Sequence, residues 1–371
     1  MKSKKKQVKN KSIFVTQPSL APMEEFSELI EGVWDRGILT HNGPLVQRLE
    51  KNIEEKLKIN NFSLVTNGTI AIQMAIKALE IKGEIITTAF TWVATLSAIQ
   101  WEGCKPVFCD IESDTLNIDP KKIEEKITSK TVAIMPVHVF GNPCDVEAID
   151  LIAKKHGLKV IYDAAHAIGS SYKGKSLLSF GDVSATSLHA TKLFNTGEGG
   201  ACITNNELLH EKIKRIRFFG HNENKEIIEQ GFNGKLTEIH AALGLANLKY
   251  YDEVLLDRKL KYFKYFNSFK DSSSISFQLT KMGETNYSYF PLIFSSEEEL
   301  LKVESELNKS QIFPRRYFYP AANTLKHIVD YEPMPIAEDI AKRILCLPLY
   351  WKLENNMVQR IIDIIKNTLQ S

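Results

Sequence analysis

A mostly parallel α/β sheet wrapped by helices on both faces, followed by a smaller α+β unit, is the fold class that three observations predict. Short β-branched runs alternate with stretches of helical periodicity from residue 63 to about 190, the pattern of parallel strands joined by crossover helices. At 371 residues the chain is too long for one simple core and long enough for two unequal units. From about residue 252 the composition turns helical and charged. The expected division is a disordered basic tail at 1–12, a large domain at 13–252 and a small C-terminal domain at 253–371.

Composition excludes more than it assigns. With 47 basic against 45 acidic residues the net charge is +2, so there is no electrostatic case for nucleic acid or a membrane surface. Five cysteines, at 104, 109, 144, 202 and 346, are odd in number and lack CxxC spacing. That pattern fits a reducing cytoplasm and no metal site. Residues 1–11 carry six lysines, and the short apolar run after them is broken by Pro18, unlike a secretory signal. No apolar run reaches membrane-spanning length.

In chain order, residues 22–36 read as a helix with Phe26, Leu29, Ile30 and Val33 on one face and Gly37 as its stop. A second helix starts at Pro44, with Leu45, Leu49, Ile53 and Leu57 four apart. A strand at 63–66 then runs through Asn67-Gly68-Thr69 into a helix at 70–80. Further strands are expected at 84–88, 106–111, 131–138, 159–163 and 183–188. Helices are expected at 92–101, 120–127, 145–156 and 206–218, with a polar loop at 220–231. Beyond the helix that begins near 252, aromatics at 262, 263, 265 and 266 alternate with lysines. Rings turned inward and amines in water explain this better than a nucleic-acid surface. The segments 289–294, 296–311, 314–319 and 355–369 make up the small unit.

Chemistry concentrates in two places. Lys192 follows a strand and is crowded by Ser187, His189 and Thr191, with Gly197, Gly199 and Gly200 leaving room for backbone approach. A lysine acts as a nucleophile only when burial or cationic neighbours leave its amine partly neutral. Asp163 ends the strand 159–163, and ligands of open α/β sheets collect at strand carboxyl ends. A carboxylate there that keeps a pyridine nitrogen protonated, beside a Schiff-base lysine, is the pairing pyridoxal 5′-phosphate (PLP) requires. Asn67-Gly68-Thr69 at a helix start reads either as a plain cap or as an anion site. Trp92 reads as ordinary core or as a stacking ring, and His138 and His189 as structural histidines.

Asn67-Gly68-Thr69, Phe90-Thr91-Trp92-Val93-Ala94-Thr95, Asp163-Ala164-Ala165-His166, Ser187-Leu188-His189-Ala190-Thr191-Lys192 and Gly231-Phe232-Asn233-Gly234-Lys235-Leu236 occur in the order of the DegT/StrS sugar-nucleotide aminotransferases. The chain resembles that family from about residue 14 to its end. The resemblance implies an aspartate aminotransferase-like fold of PLP type I. It assigns Lys192 and Asp163 to catalysis, Gly68, Thr69 and Ser187 to the cofactor phosphate, Trp92 to its ring face and His166 to its hydroxyl. Asn233 would reach the phosphate of a neighbouring subunit, implying a homodimer with shared sites; where relatives carry arginine this chain has Lys235, which keeps charge but loses bidentate geometry. Thr40, Asn42, Arg315, Arg316 and Tyr317 fall where relatives hold the substrate.

The implied reaction is amino transfer from L-glutamate to a nucleotide-linked keto sugar. Motifs around residues 15–20, 39–44, 189–196 and 313–320 resemble the branch that makes dTDP-4-amino-4,6-dideoxyglucose from dTDP-4-keto-6-deoxyglucose for surface polysaccharide such as O-antigen. The 3-keto isomer stays open, because the sequence does not fix the sugar pose. A same-fold dehydratase, which would need histidine in place of Lys192, and a non-catalytic regulator are the remaining alternatives.

Overall fold

The computed structural model describes residues 12–370; residues 1–11 of the expected tail lie outside the described residues. The central sheet takes its strands from seven segments. After a two-residue strand β1 (Ile13–Phe14), these are β2 (Phe62–Val65), β3 (Glu84–Thr88), β4 (Lys105–Cys109), β5 (Thr131–Ile134) and β6 (Lys159–Asp163). A small hairpin, β7 (Ser171–Tyr172) and β8 (Lys175–Ser176), precedes the last two, β9 (Val183–Ser187) and β10 (Gly200–Ile203). Their order across the sheet is β2-β10-β9-β6-β5-β3-β4. Neighbours pair in parallel except at β10, which runs antiparallel to both β2 and β9. All strands but β10 therefore deliver their carboxyl ends to one edge.

Helices cover both faces, as a buried parallel sheet demands. The helices α1 (Met23–Arg36), α2 (Pro44–Leu57), α3 (Gly68–Ala78), α4 (Val93–Trp101), α5 (Val146–His156), α6 (Glu207–Ile216) and α7 (Glu238–Leu248) belong to this lobe. One apolar core joins α1, α2, α5 and α7 to Phe62, Leu64, Val160 and Tyr162; another joins α3, α4 and α6 to Val65, Ile161, Val183 and Ala185. The period-two alternation along β6, Val160 and Tyr162 to one side and Ile161 to the other, splits the strand between them. Pro44 opens α2 and its two following amides, Leu45 and Val46, donate to the fully buried Glu238 carboxylate at 3.0 and 2.9 Å.

The second lobe follows α8 (Tyr251–Phe269) and contains an antiparallel sheet of β11 (Ile275–Phe277), β12 (Phe290–Phe294) and β14 (Ile344–Leu347). With it go α9 (Glu297–Lys309), α10 (Pro335–Arg343), α11 (Asn355–Gln370) and β13 (Ile312–Phe313). β1 pairs in parallel with β13, and Ile13 sits in this lobe's core with Tyr265, Phe290 and Ile361. The first described residues thus pack in the small lobe before the chain crosses to the large one, where the expected large domain began at 13. A fourth apolar cluster spans the seam: Phe90, Val137 and Phe140 from one lobe meet Tyr289, Phe318 and Ile340 from the other.

Two expected elements differ. The helix at 120–127 is instead two short 3₁₀ turns, Pro120–Lys122 and Glu124–Lys126, the first capped by the Asp119 carboxylate. A segment of that length closes too few i→i+4 bonds to offset helix nucleation. The strand at 131–138 is regular only to Ile134, because Pro136 has no amide to give the ladder.

Candidate active site

Four strand or helix ends meet at the carboxyl edge of the sheet around a cavity of about 430 Å³. β2 leads into α3 at Asn67, whose side-chain oxygen accepts from the Ile70 amide at 2.9 Å and starts the helix. The amides of Gly68 and Thr69, one and two residues past this cap, find no acceptor among the described residues and border the cavity. Glycine is needed at two points of this corner. A Cβ on Gly68 would stand 2.9 Å from Cβ of Ser187, and one on Gly200 would stand 2.4 Å from the Asn67 carbonyl carbon. Ser187, at the end of β9, adds its hydroxyl, which also accepts from the His189 amide at 3.3 Å.

Past β9 the chain folds into a compact loop. The Leu188 and Ala190 amides donate to the carbonyls of Gly199 and Gly197, and the Lys192 amide closes a turn on His189 at 2.8 Å. Leu193 and Phe194 are buried behind it. Lys192 keeps partial exposure where it lines the cavity. Its dense surroundings disfavour charge, and burial lowers its pKa from 10.5 to about 8, against a smaller upward pull from Asp163. Asp163, last residue of β6, is 6% exposed. Its Oδ2 accepts from the Thr95 hydroxyl at 2.7 Å and its Oδ1 from the Ala165 amide at 3.1 Å. Burial raises its pKa, opposed by those two hydrogen bonds and by Lys192. Because Thr95 spends its proton on Asp163, the Thr91 hydroxyl, 2.8 Å away, is the donor to Thr95.

His166 lies in a stack of rings, nearly parallel to Phe140 and Phe318 at centroid distances of 6.1 and 6.0 Å. Its pKa is held well below the usual range by burial and by Lys192. Trp92 caps the approach to α4 and borders the cavity with 48% of its surface exposed. Arg315 and Tyr317 complete the rim: the Arg315 guanidinium sits 4.7 Å from the Tyr317 ring centroid and 5.4 Å from that of Trp92. His138 lies outside, stacked on Tyr162 at 4.6 Å, and His189 staples its own loop through Thr191.

Of the residues singled out from sequence, Gly68, Thr69, Trp92, Asp163, His166, Ser187, Lys192, Arg315 and Tyr317 line this one cavity. Arg316 is not among the residues lining it. Extended backbone alternates sides, so Arg316 faces away, bonded to Glu297 and the Lys342 carbonyl at 2.6 Å each and stacked over Tyr319. Thr40, Asn42 and Asn233 also lie outside the cavity of this chain. Asn42 accepts from the buried Arg217 at 3.3 Å, and exposed Asn233 accepts from Lys235 at 2.6 Å. Thr95 and Tyr289 escaped the sequence analysis. Thr95 had a signal, standing one turn after Trp92; Tyr289, just before the strand β12, had none.

Residues 22–366 match the DegT/DnrJ/EryC1/StrS aminotransferase family. The chain belongs to that family. This aminotransferase is 44% identical over 362 residues to a dTDP-4-amino-4,6-dideoxy-D-glucose transaminase of Shigella dysenteriae, covering 96% of this chain and 99% of the relative. It superposes with a TM-score of 0.90 on the crystal structure of DesI in the presence of its TDP-sugar product, at 28% identity, covering 96% of this chain and 92% of that one. On NtdA of Bacillus subtilis with bound cofactor PMP the TM-score is 0.87 at 27% identity, over 94% of this chain and 82% of that one. The aspartate aminotransferase-like α/β fold expected from sequence is thereby borne out.

Proposed function

We propose that this aminotransferase moves the amino group of L-glutamate onto dTDP-4-dehydro-6-deoxy-D-glucose, giving dTDP-4-amino-4,6-dideoxy-D-glucose for surface polysaccharide. The observation that carries the sugar assignment is the 44% identity across almost the whole chain to a transaminase named for that product. PLP is the cofactor proposed, and the cavity suits it. An anion fits the unpaired Gly68 and Thr69 amides at the positive end of α3, with the Ser187 hydroxyl beside them. A protonated ring nitrogen fits Asp163, whose carboxylate is already oriented by Thr95 and Ala165. Trp92 supplies a ring face and Lys192 a primary amine.

When bound, PLP supplies an electrophilic aldehyde and an electron-withdrawing ring, which no side chain offers. The chain's own residues do the rest. Lys192 Nζ, with its pKa lowered to about 8, is neutral often enough near pH 7 to act as a nucleophile, and the same amine would move the proton at the donor α-carbon. Asp163 holds a proton at the ring nitrogen. His166, kept neutral by burial, would hold the cofactor hydroxyl. Arg315 at the rim offers a cation to the nucleotide diphosphate or the donor carboxylate.

We further infer a homodimer with shared sites. Asn233 is exposed and lies outside the Lys192 cavity of its own chain, which supports its serving a second copy. The five cysteines are free and buried, and no helix among the described residues is long and apolar enough to cross a membrane, both compatible with a cytoplasmic enzyme. The test of the substrate is incubation with glutamate and each keto sugar, with the new amine located by NMR. Amine at C4 is expected; amine at C3 alone would reassign the sugar, and no transfer to either would remove the proposal.

A further inference from the structure

Tyr289 stands immediately before β12, is 6% exposed and lines the cavity, yet nothing in the transfer chemistry above uses it. What its hydroxyl can do is fixed by His166. The Phe140 amide donates to His166 Nδ1 at 3.3 Å, so that nitrogen carries a lone pair. Burial keeps the imidazole neutral, which leaves its single proton on Nε2. Nε2 lies 3.4 Å from the Tyr289 hydroxyl, which can accept it and still holds a proton of its own, since burial raises the phenol pKa.

The phenol has little freedom. Its ring packs against His166, Phe140 and Tyr317 at centroid distances of 4.7, 5.2 and 5.7 Å. The backbone just before it is tied twice. The fully buried Arg258 donates to the Ser288 carbonyl at 3.0 Å, and Asn286 donates to the carbonyls of His166 and Ile168 at 2.6 Å each. Tyr289 also lines a second, much smaller chamber together with Lys192, Ser187 and His166. Among the small-lobe residues at this site, Arg315, Tyr317, Phe318 and Tyr289, it is the Tyr289 hydroxyl that meets a ring nitrogen of His166.

We propose that Tyr289 is a positioning residue for the transfer reaction, accepting the His166 Nε2–H and so holding the imidazole, from the small lobe, in the orientation that meets the cofactor. This rests on His166 facing the cofactor as proposed above, but the contact itself is measurable without cofactor. In full-length protein free of cofactor and labelled with ¹⁵N-histidine, the His166 Nε2–H signal is identified by its loss in His166→Gln. Tyr289→Phe keeps the ring and is expected to move that signal while the signal of His138, which stacks on Tyr162, stays in place. In loaded enzyme the same variant is expected to lower kcat about tenfold, the scale of one hydrogen bond, with KM for the sugar roughly unchanged. Should Tyr289→Phe fail to fold, 3-fluorotyrosine at 289 keeps the shape, changes the acidity of the hydroxyl and is expected to move the same signal. An unmoved His166 signal, or an unchanged kcat, overturns the proposal. If the signal moves but unaltered enzyme aminates no keto sugar, the contact stands and the proposed reaction fails.

Discussion

Two parallel strands of the central sheet lead to buried aspartates at the same edge: β4 is followed by Asp110 and β6 ends on Asp163, at 5% and 6% exposure. Burial and position do not tell them apart; their partners do. Asp110 accepts from three amides, Ile111 at 2.9 Å and Ile336 and Ala337 at 3.0 Å each. The last two open α10, which has no cap of its own. Asp110 thus caps a small-lobe helix from the large lobe, as Glu238 caps α2 within the large lobe. Asp163 receives one hydroxyl and one amide, and the rest of its surroundings are a cavity shared with a lysine. A strand-end carboxylate is structural when helix amides fill its lone pairs, and poised for chemistry when it is oriented but left facing open space.

The comparison can be broken by substitution, and the largest effect belongs beside Asp163. Lys192→Ala is expected to remove turnover, a loss on the order of 10⁶-fold by analogy with deleting other covalent nucleophiles, while circular dichroism and melting temperature stay close to those of the unaltered protein. Asp163→Asn is expected to lower kcat by roughly 10²–10³-fold, the scale of removing a preorganised charge partner, again with little change in melting. Asp110→Ala should do the reverse. Leaving the α10 amides without an acceptor costs about 1–3 kcal/mol for each that stays buried, so melting temperature falls while kcat per folded molecule changes little. A kinetic collapse in Asp110→Ala with unchanged melting, or the converse in Asp163→Asn, would erase the distinction.

The smallest effect is in pH dependence. Because the folded Lys192 amine titrates near 8 and the free side chain near 10.5, the unfolded chain holds more protons between those values. Cofactor-free protein should therefore gain stability as pH rises from about 8 to 10.5, an increment that Lys192→Met lacks in denaturation measured across that window. Since Asp163 raises the lysine pKa, Asp163→Asn should move the midpoint for cofactor uptake below 8.

What the sequence disclosed follows the range of the interactions involved. The strand-helix alternation, the helix stop at Gly37 and the start at Pro44 are local, and each appears in the structure. Lys192 and Asp163 were legible because their neighbours along the chain narrow the chemistry. Thr95, Tyr289 and Asp110 act through partners 68, 123 and 226 residues away, and no local pattern encodes such contacts. Arg315 and Arg316 show the same limit at one step: adjacent, identical side chains, one at the cavity rim and one tied to Glu297.

Borohydride reduction of protein saturated with PLP, followed by peptide mapping, tests most directly whether this cavity holds the chemistry. The expected result is a coloured protein whose absorbance is lost on reduction and whose single label sits on Lys192. A colourless saturated protein, or a label carried by a lysine elsewhere in the chain, would contradict it.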